Sequence, residues 1–282
     1  MSATDRCGLP LAGRRVLVTR AAHQVESFCK KLNQLGADTF SLPMTEIQPP
    51  SDWSDVDAAL EQLEKFDWLV FSSVNAVNYF FNRATLRQKL QSLCARIAAI
   101  GPATAASVQQ FGLQHAFSPS SYIAEDFIAE FANYEHNLSN KKILWARGNK
   151  GRMLIADDLR ARGAEVDCIT CYVNDLPLER DSLLRDLTSI LLEAKLDAVL
   201  FASGEAAKNF AVLLNGMDDS SLNEREKAAV RSAIDECAII SIGPETSRSC
   251  RAHLNRVDRE ATIHTMDGML QEVIDAVGHH PG

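Results

Sequence analysis

RRVLVTR at Arg14 to Arg20 returns as KKILWAR at Lys141 to Arg147, and LGAD at Leu35 to Asp38 returns as RGAE at Arg162 to Glu165. Both offsets are 127 residues (141 − 14 and 162 − 35), so strand, helix and next strand recur in one register. Two further stretches repeat. DWLVFSS from Asp67 returns as DAVLFAS from Asp197, and IAAIGPAT ending at Thr104 returns as IISIGPET ending at Thr246. Their offsets of 130 (197 − 67) and 142 (246 − 104) residues place the drift in loops and helix lengths. A duplication this long exceeds a solenoid unit and fits two similar α/β domains. Paired domains of this kind commonly hold a small molecule in a cleft.

Outward from these stretches the pattern alternates strand and helix. VLVT at Val16 is a compact apolar run, as in a strand covered on both faces. Val25, Phe28, Leu32 and Leu35 follow at helical spacing, and Gly36 supplies the stop. DTFSLPM reads as the second strand and IQPPSDWSD, rich in proline and aspartate, as a linker. WLVFSS is then a strand with a helix from Asn75, and RIAAIGP a strand with a helix from Thr104 to Phe111. HAFSPS reads as a short strand, AEDFIAEFANY as a helix and HNLSNKK as a loop. KILWA opens the second copy, with a helix over Met153 to Arg162, the strand AEVDCITCYV, and a second linker after CITCYVNDLP. The tail gives AVLFAS, AIISIGP, a strand near Ala261 and a helix over Gly268 to Val277. The run Asp218 to Glu226 reads as a solvated loop leading into a helix.

About ten strands result, five per domain, in doubly wound parallel sheets with ligand sites at the carboxyl ends of the strands. The residues leave two domain schemes open. The chain either completes one domain before the next, or joins its first two strands to its last three around an inserted middle domain.

Composition narrows the function classes. The chain has 282 residues, is 46% hydrophobic and 23% charged, and carries a formal net charge of −8. These are the proportions of a globular protein. The negative balance argues against nucleic acid as a main partner, so any anionic ligand must be held by local fields. No apolar run reaches membrane-spanning length and MSATDRCGLPLAGRR has no apolar signal region, so a cytoplasmic location is expected. Seven scattered cysteines fit reduced thiols. Cys168 and Cys171 form a CxxC, but on a strand i and i+3 face opposite ways, which argues against a chelating or redox pair. The histidines show no ligand spacing, and no metal is expected.

Ser72 and Ser73, Thr104, Ser203 and Thr246 each end a strand just before a helix. The free N–H groups of a first helical turn, with the helix dipole, favour anions. The plainer reading of any one of them is a helix cap. Their recurrence in matching places of both copies points instead to a carboxylate-binding surface. Arg147 and Arg152 bracket the turn RGNKGR and either hold a substrate carboxylate or line a solvated loop; Arg20 is the matching residue in the first copy. Tyr172 ends the strand CITCY beside the second linker. Its phenol is a protonated donor near neutral pH, suited to assisting departure of a hydroxyl, with plain packing as the alternative. The first copy has Met44 to Ile47 at this crossover and no tyrosine. There is no GxxxxGK[ST], no GxGxxG and no GxSxG elbow, which disfavours a sugar transferase using a nucleotide donor.

VLVTR, LGAD..SLP.TEI, DWLVFSSVNAV, AAIGPATA, KILWARGNKGR, RARGAEVD...CY, FASGEA and SIGPET fall in the order found in uroporphyrinogen-III synthases, and the resemblance runs from about Arg14 to Val277. It implies two flavodoxin-like doubly wound domains joined by a two-stranded connector, in the inserted arrangement: domain 1 from residues 1–46 and 175–282, domain 2 from 47–174. The implied activity is that of a hydro-lyase. Hydroxymethylbilane, a linear tetrapyrrole with eight carboxylates, loses water and closes to uroporphyrinogen III with ring D inverted, through a spiro-pyrrolenine in the interdomain cleft. No cofactor or metal is implied. Substrate hand-over from hydroxymethylbilane synthase and a monomeric state are further expectations. By position the family's strand-end tyrosine falls on Tyr172 and its hydroxyls on Ser73, Thr104, Ser203 and Thr246. The sequence departs from the family in Lys150, where glycine is common, and in Glu205 and Glu245, acidic residues at helix N-termini where a carboxylate would bind. A non-catalytic protein of the same fold that binds a tetrapyrrole or another polyanion is the alternative.

Overall fold

A computed structural model describes residues 8–193, 195–217 and 222–278, with the side chains of residues 22–24 left aside. In chain order the elements are β1 (Arg15–Val18), α1 (Ala22–Gln34), β2 (Asp38–Ser41), β3 (Glu46–Gln48), α2 (Ser54–Leu60), β4 (Trp68–Phe71), α3 (Val74–Leu86), β5 (Arg96–Ala99), α4 (Pro102–Gln110) and α5 (Ala124–Glu135). There follow β6 (Lys142–Gly148), α6 (Leu154–Ala161), β7 (Glu165–Asp175), α7 (Arg180–Glu193), β8 (Ala198–Phe201), α8 (Gly204–Gly216), α9 (Glu224–Glu236), β9 (Ala238–Ser241), α10 (Pro244–Leu254), β10 (Arg259–Glu260) and α11 (Met266–Val277).

The chain forms two compact units, Met1–Glu46 with Asp175–Gly282 and Ile47–Asn174. The first holds a sheet in the order β10-β9-β8-β1-β2. Counted along the chain within that unit, the order from the other edge is 2-1-3-4-5, the flavodoxin-like arrangement. The second holds a sheet in the order β3-β7-β6-β4-β5. Here β7-β6-β4-β5 matches β2-β1-β8-β9, so the duplication seen in sequence is a duplication of topology. The strand β3 adds an edge with no counterpart.

The central strands of each sheet are buried on both faces, and alternation divides their side chains between two cores. In the first unit Leu17, Val199, Phe201 and Ile239 join the core that contains Phe210 and Leu187. Val16, Val18, Leu200 and Ile240 join the one that contains Phe28, Leu32 and Met269. In the second unit Leu69, Phe71, Leu144 and Ala146 face Phe80 and Phe81. Trp68, Val70, Ile143 and Trp145 face Phe127 and Phe131. The strand starts are pinned alike in the two units. Asp67 accepts from the Lys142 backbone N–H at 2.8 Å and pairs with Lys141. Asp197 accepts from the Arg15 N–H at 2.9 Å and pairs with Arg14.

Four details differ from the sequence expectation. IQPP is not all linker, since Glu46–Gln48 is the edge strand β3; an edge position leaves room for the prolines that follow. HAFSPS is not a strand: only one bridge forms, Ala98 to Phe117. The helix expected from Thr104 starts at Pro102, because proline at the first helical position has φ already set. The helices Ser54–Leu60 and Arg180–Glu193 have no counterpart in the sequence reading. In the run Asp218 to Glu226, residues 218–221 lie outside the described set; Asn223 then caps α9 through a capping box with Glu226.

Phe80 is fully buried among Phe71, Phe81 and Leu69, so Phe80→Ala is expected to cost about 3–5 kcal/mol. Amide exchange should accelerate across residues 47–174 while β1, β8 and β9 stay protected; an equal loss in both units would contradict separate cores. A second prediction concerns acid. Arg83 donates to Asp57 from Nε at 2.7 Å and Nη2 at 2.5 Å, and this bonding holds the Asp57 carboxyl below its usual value. A carboxyl with a depressed folded pKa stabilises above the unfolded value of about 4 and loses that contribution as pH falls through the folded one. The gap in melting temperature between the wild type and Asp57→Asn should therefore be present at neutral pH and shrink below about pH 4. A gap unchanged by acid would contradict this.

Candidate active site

The strand ends that carry hydroxyls fall into two kinds. Ser73 and Ser203 are true helix caps with nearly the same backbone, φ −157 and ψ 152 against φ −155 and ψ 150. Ser73 Oγ accepts the Ala76 N–H at 3.1 Å and Ser203 Oγ the Ala206 N–H at 3.2 Å. Thr104 and Thr246 sit a turn deeper. The N-cap residues there are Gly101 and Gly243, each followed by proline, and both threonines are 4% exposed. Both threonines are therefore buried, unlike the partly exposed Ser73 and Ser203.

In the second unit two predicted residues meet. Ser73 Oγ and Tyr172 Oη share a hydrogen bond of 3.2 Å. A register shift produces this contact. Along β6 and β7, Arg147 pairs with Thr170 but Gly148 pairs with Tyr172, so Cys171 is an extra residue on β7. A bulge of this kind re-aims the side chain that follows it. Ile169 and Cys171 face the core of Phe80 and Phe81, and strict alternation would turn Tyr172 away. The bulge returns it to the same side, where it packs on that core. The Tyr79 ring stacks on it at 6.1 Å and 26°, and the Tyr79 hydroxyl donates to the Ile47 carbonyl at 3.3 Å. Neither Tyr79 nor Gly148 was singled out in the sequence. A stacked aromatic pair across a helix and a bulged strand has no short-range signature.

The arginines have local partners. Arg147 folds back over its own turn, donating to the Lys150 and Gly151 carbonyls at 2.9 and 2.7 Å, with its guanidinium 4.7 Å above the Trp145 ring. Arg152 pairs with Glu125 at 2.9 Å on the surface. Glu205 lies 3.8 Å from Lys208 and Glu245 2.6 Å from Arg248, each on its own helix. The CxxC cysteines separate as alternation requires. Cys171 lies in the Phe80 core, with its thiol pushed up to about 12 by burial. Cys168 packs on the opposite core, raised by burial and partly offset by Arg160 and Arg147. Among the described residues no three His, Cys, Asp or Glu side chains gather as a metal centre would need.

In the first unit Ser203 lines a cavity of about 110 Å³ with Thr19, Arg20, Ala21, Thr45 and Ile242. Counted by the repeat offset of 127, Ala21 and Thr45 correspond to Gly148 and Tyr172. The same place is therefore a hollow in one unit and holds a phenol in the other.

Fold and strand ends define a duplicated, doubly wound α/β protein of flavodoxin-like topology. Comparison with known proteins narrows this. The profile of the family described as uroporphyrinogen-III synthase HemD matches residues 26–271. The uroporphyrinogen-III synthase of Synechococcus elongatus is 33% identical over 267 residues, covering 93% of this chain and 94% of that protein. That of Chlorobaculum parvum is 30% identical over 201 residues, covering 70% and 78%. The crystal structure of uroporphyrinogen-III synthetase from Helicobacter pylori shares the fold, with a TM-score of 0.55 at 17% identity over 93% of this chain and 99% of that one. The chain belongs to the uroporphyrinogen-III synthase family, and it is an enzyme of the lyase class. No helix among the described residues is long and apolar enough to cross a membrane.

Because Ser203 acts as a cap, Ser203→Ala should lower unfolding free energy by about 1 kcal/mol and Ser203→Gly by only a few tenths. Chemical denaturation distinguishes them; a glycine variant as weak as the alanine one would show that the hydroxyl does more than cap the helix.

Proposed function

We propose that this chain cyclises hydroxymethylbilane to uroporphyrinogen III, with loss of water and inversion of ring D. The observation that carries the reading is the Ser73–Tyr172 hydrogen bond at the carboxyl end of a parallel sheet, beside the free N–H groups of a helix N-terminus. The family to which the chain belongs supports it.

Tyr172 lends its phenolic proton to the hydroxyl of the terminal hydroxymethyl group. The carbon–oxygen bond breaks, water leaves, and the electrons of the pyrrole nitrogen stabilise the resulting azafulvene cation. The cation is attacked by the substituted carbon of ring D, which forms a spiro-pyrrolenine. Breaking the older bond at that carbon and reclosing at the free one inverts the ring. A proton lost on rearomatisation restores the phenol. Ser73 Oγ, which already accepts the Ala76 N–H, can give or take the phenol's hydrogen bond as its charge changes. The helix N-termini behind Ser73, Gly101, Ser203 and Gly243 offer backbone donors to the substrate's carboxylates. Arg20, near the first-unit hollow, adds a positive charge.

The bilane closes unaided to the non-inverted isomer, so the enzyme's task is mainly to favour the inverted closure by position. The same reading makes the protein a cytoplasmic monomer without cofactor that receives its substrate from hydroxymethylbilane synthase.

Purified protein coupled to a source of hydroxymethylbilane should shift the product from isomer I to isomer III; isomer I alone, with the protein folded, sinks the proposal in favour of a non-catalytic polyanion binder. Tyr172→Phe should lower kcat by about a hundredfold with KM little changed. Unchanged turnover would return Tyr172 to a packing role.

A further inference from the structure

We infer that Gly148 and Tyr79 are positioning residues for the reaction: together they hold the Tyr172 ring against Ser73, and Gly148 is a glycine because the phenol occupies the space of its side chain. This rests on the assignment of Tyr172 made above and goes beyond it to the residues that act through it.

Position 148 is the last residue of β6, on the same face as Leu144 and Ala146. A Cβ placed there would lie 2.6 Å from Cζ, 2.8 Å from Cε2 and 2.9 Å from Oη of Tyr172. Glycine within a strand weakens it and commonly marks a close approach. Gly148 is not in the left-handed region of the backbone, so its conformation admits any residue. No backbone atom or second side chain is among the nearest obstacles; all three belong to the far end of the Tyr172 ring. A methyl group at 148 therefore pushes first on the phenol. Opposite Gly148, Tyr79 closes the ring's other side by stacking, and its own hydroxyl is anchored on the Ile47 carbonyl of β3.

The first unit supplies an internal control. By the offset of 127, Gly148 and Tyr172 correspond to Ala21 and Thr45. By the offset of 130 that relates Ser73 to Ser203, Tyr79 corresponds to Asn209. Asn209 also reaches across to a main-chain carbonyl, donating to Met44 at 2.7 Å. Each helix thus bonds a main-chain carbonyl, but on different segments: Ile47 lies on β3 and Met44 follows β2. Only where the helix residue is an aromatic that can stack, and the strand-end residue a phenol, is the facing position glycine. In the other unit an alanine stands there and a hollow of about 110 Å³ remains. Ala21 itself is the N-cap of α1 and not a strand residue, so the comparison shows only that the aligned position carries a side chain where no ring is present.

The experiment is a double-mutant cycle of Gly148→Ala and Tyr172→Phe, with kcat and KM for hydroxymethylbilane measured on the folded proteins. Gly148→Ala should lower kcat by about tenfold or more, a displacement of the phenol by the order of an ångström being enough. In the Tyr172→Phe background the same change should alter kcat less than about twofold, because the hydroxyl it misplaces is gone. The Cζ resonance of labelled Tyr172, assigned by its loss in Tyr172→Phe, should shift in Gly148→Ala. An equal loss of kcat in both backgrounds, or no loss in either, overturns the inference while leaving the role of Tyr172 intact. Wild-type kcat in Tyr172→Phe instead removes the role of Tyr172 itself, and the two failures are thus distinct. Should Gly148→Ala fail to fold, Tyr79→Leu tests the other side of the ring. It should lower kcat severalfold and Tyr79→Phe, which keeps the stacked ring, should recover most of it; equal effects of the two would overturn the positioning role.

Discussion

Each sheet keeps its central strands dry on both faces, and the rest of the molecule follows from that constraint. A parallel strand covered on both sides must send its chain back across one face before the next strand, and the crossing segment is a helix. The carboxyl ends of β4, β5, β8 and β9 then open into helix N-termini with unpaired N–H groups. Ser73 and Ser203 satisfy part of that demand by capping, with almost identical backbone angles in the two units. The Gly-Pro turns before Thr104 and Thr246 meet it differently, since proline removes one donor and presets the helix. In this way a requirement of the core places polar, anion-favouring groups along one edge of each sheet without any residue being dedicated to catalysis.

Within that frame a single inserted residue has large consequences. The bulge at Cys171 costs one register of the β6–β7 ladder. It turns Tyr172 from the face of Trp145 and Phe127 to the face of Phe80, beside Ser73. Burial raises the Cys171 thiol to about 12 and leaves that side chain as packing, while the Tyr172 hydroxyl meets Ser73. At the aligned positions Ala21, Thr45 and Asn209 there is no ring, and a hollow lined by Ala21 and Thr45 remains.

The duplication and the strand-helix rhythm were legible in the sequence because they rest on local apolar runs such as VLVT, WLVF and AVLF, whose burial on both faces leaves no alternation to confuse. Ser73 and Ser203 were legible as strand-end hydroxyls for the same reason. Other features depend on partners distant in sequence. The strand Glu46–Gln48 sits beside prolines that signal a linker, and only pairing with β7 makes it a strand. The helix Arg180–Glu193 was hidden by the preceding linker signal of Asp175 to Pro177. Thr104 and Thr246 read as caps because Ser/Thr near a helix start usually is one; Gly-Pro two residues earlier moved the cap and buried both hydroxyls. The Tyr79–Tyr172 stack joins residues 93 positions apart (172 − 79), and nothing local announces it.

The asymmetry between the units is itself a chemical requirement on the function proposed here. Eight carboxylates distributed along a flexible chain can be held by repeated, equivalent N-termini, and duplication supplies those cheaply. Departure of one hydroxyl occurs at one carbon, and a matched pair of sites cannot distinguish it from its neighbours. Breaking the symmetry at one strand end only, with Tyr172 in place of Thr45, would give the proposed reaction a proton donor at a single point. It also explains the size of the supporting change. A phenol at a strand end sweeps freely unless its ring is clamped, and a clamp needs a flat partner on one side and an absent side chain on the other. Tyr79 in place of Asn209 and Gly148 in place of Ala21 meet those two needs, so three differences between the copies constitute one device.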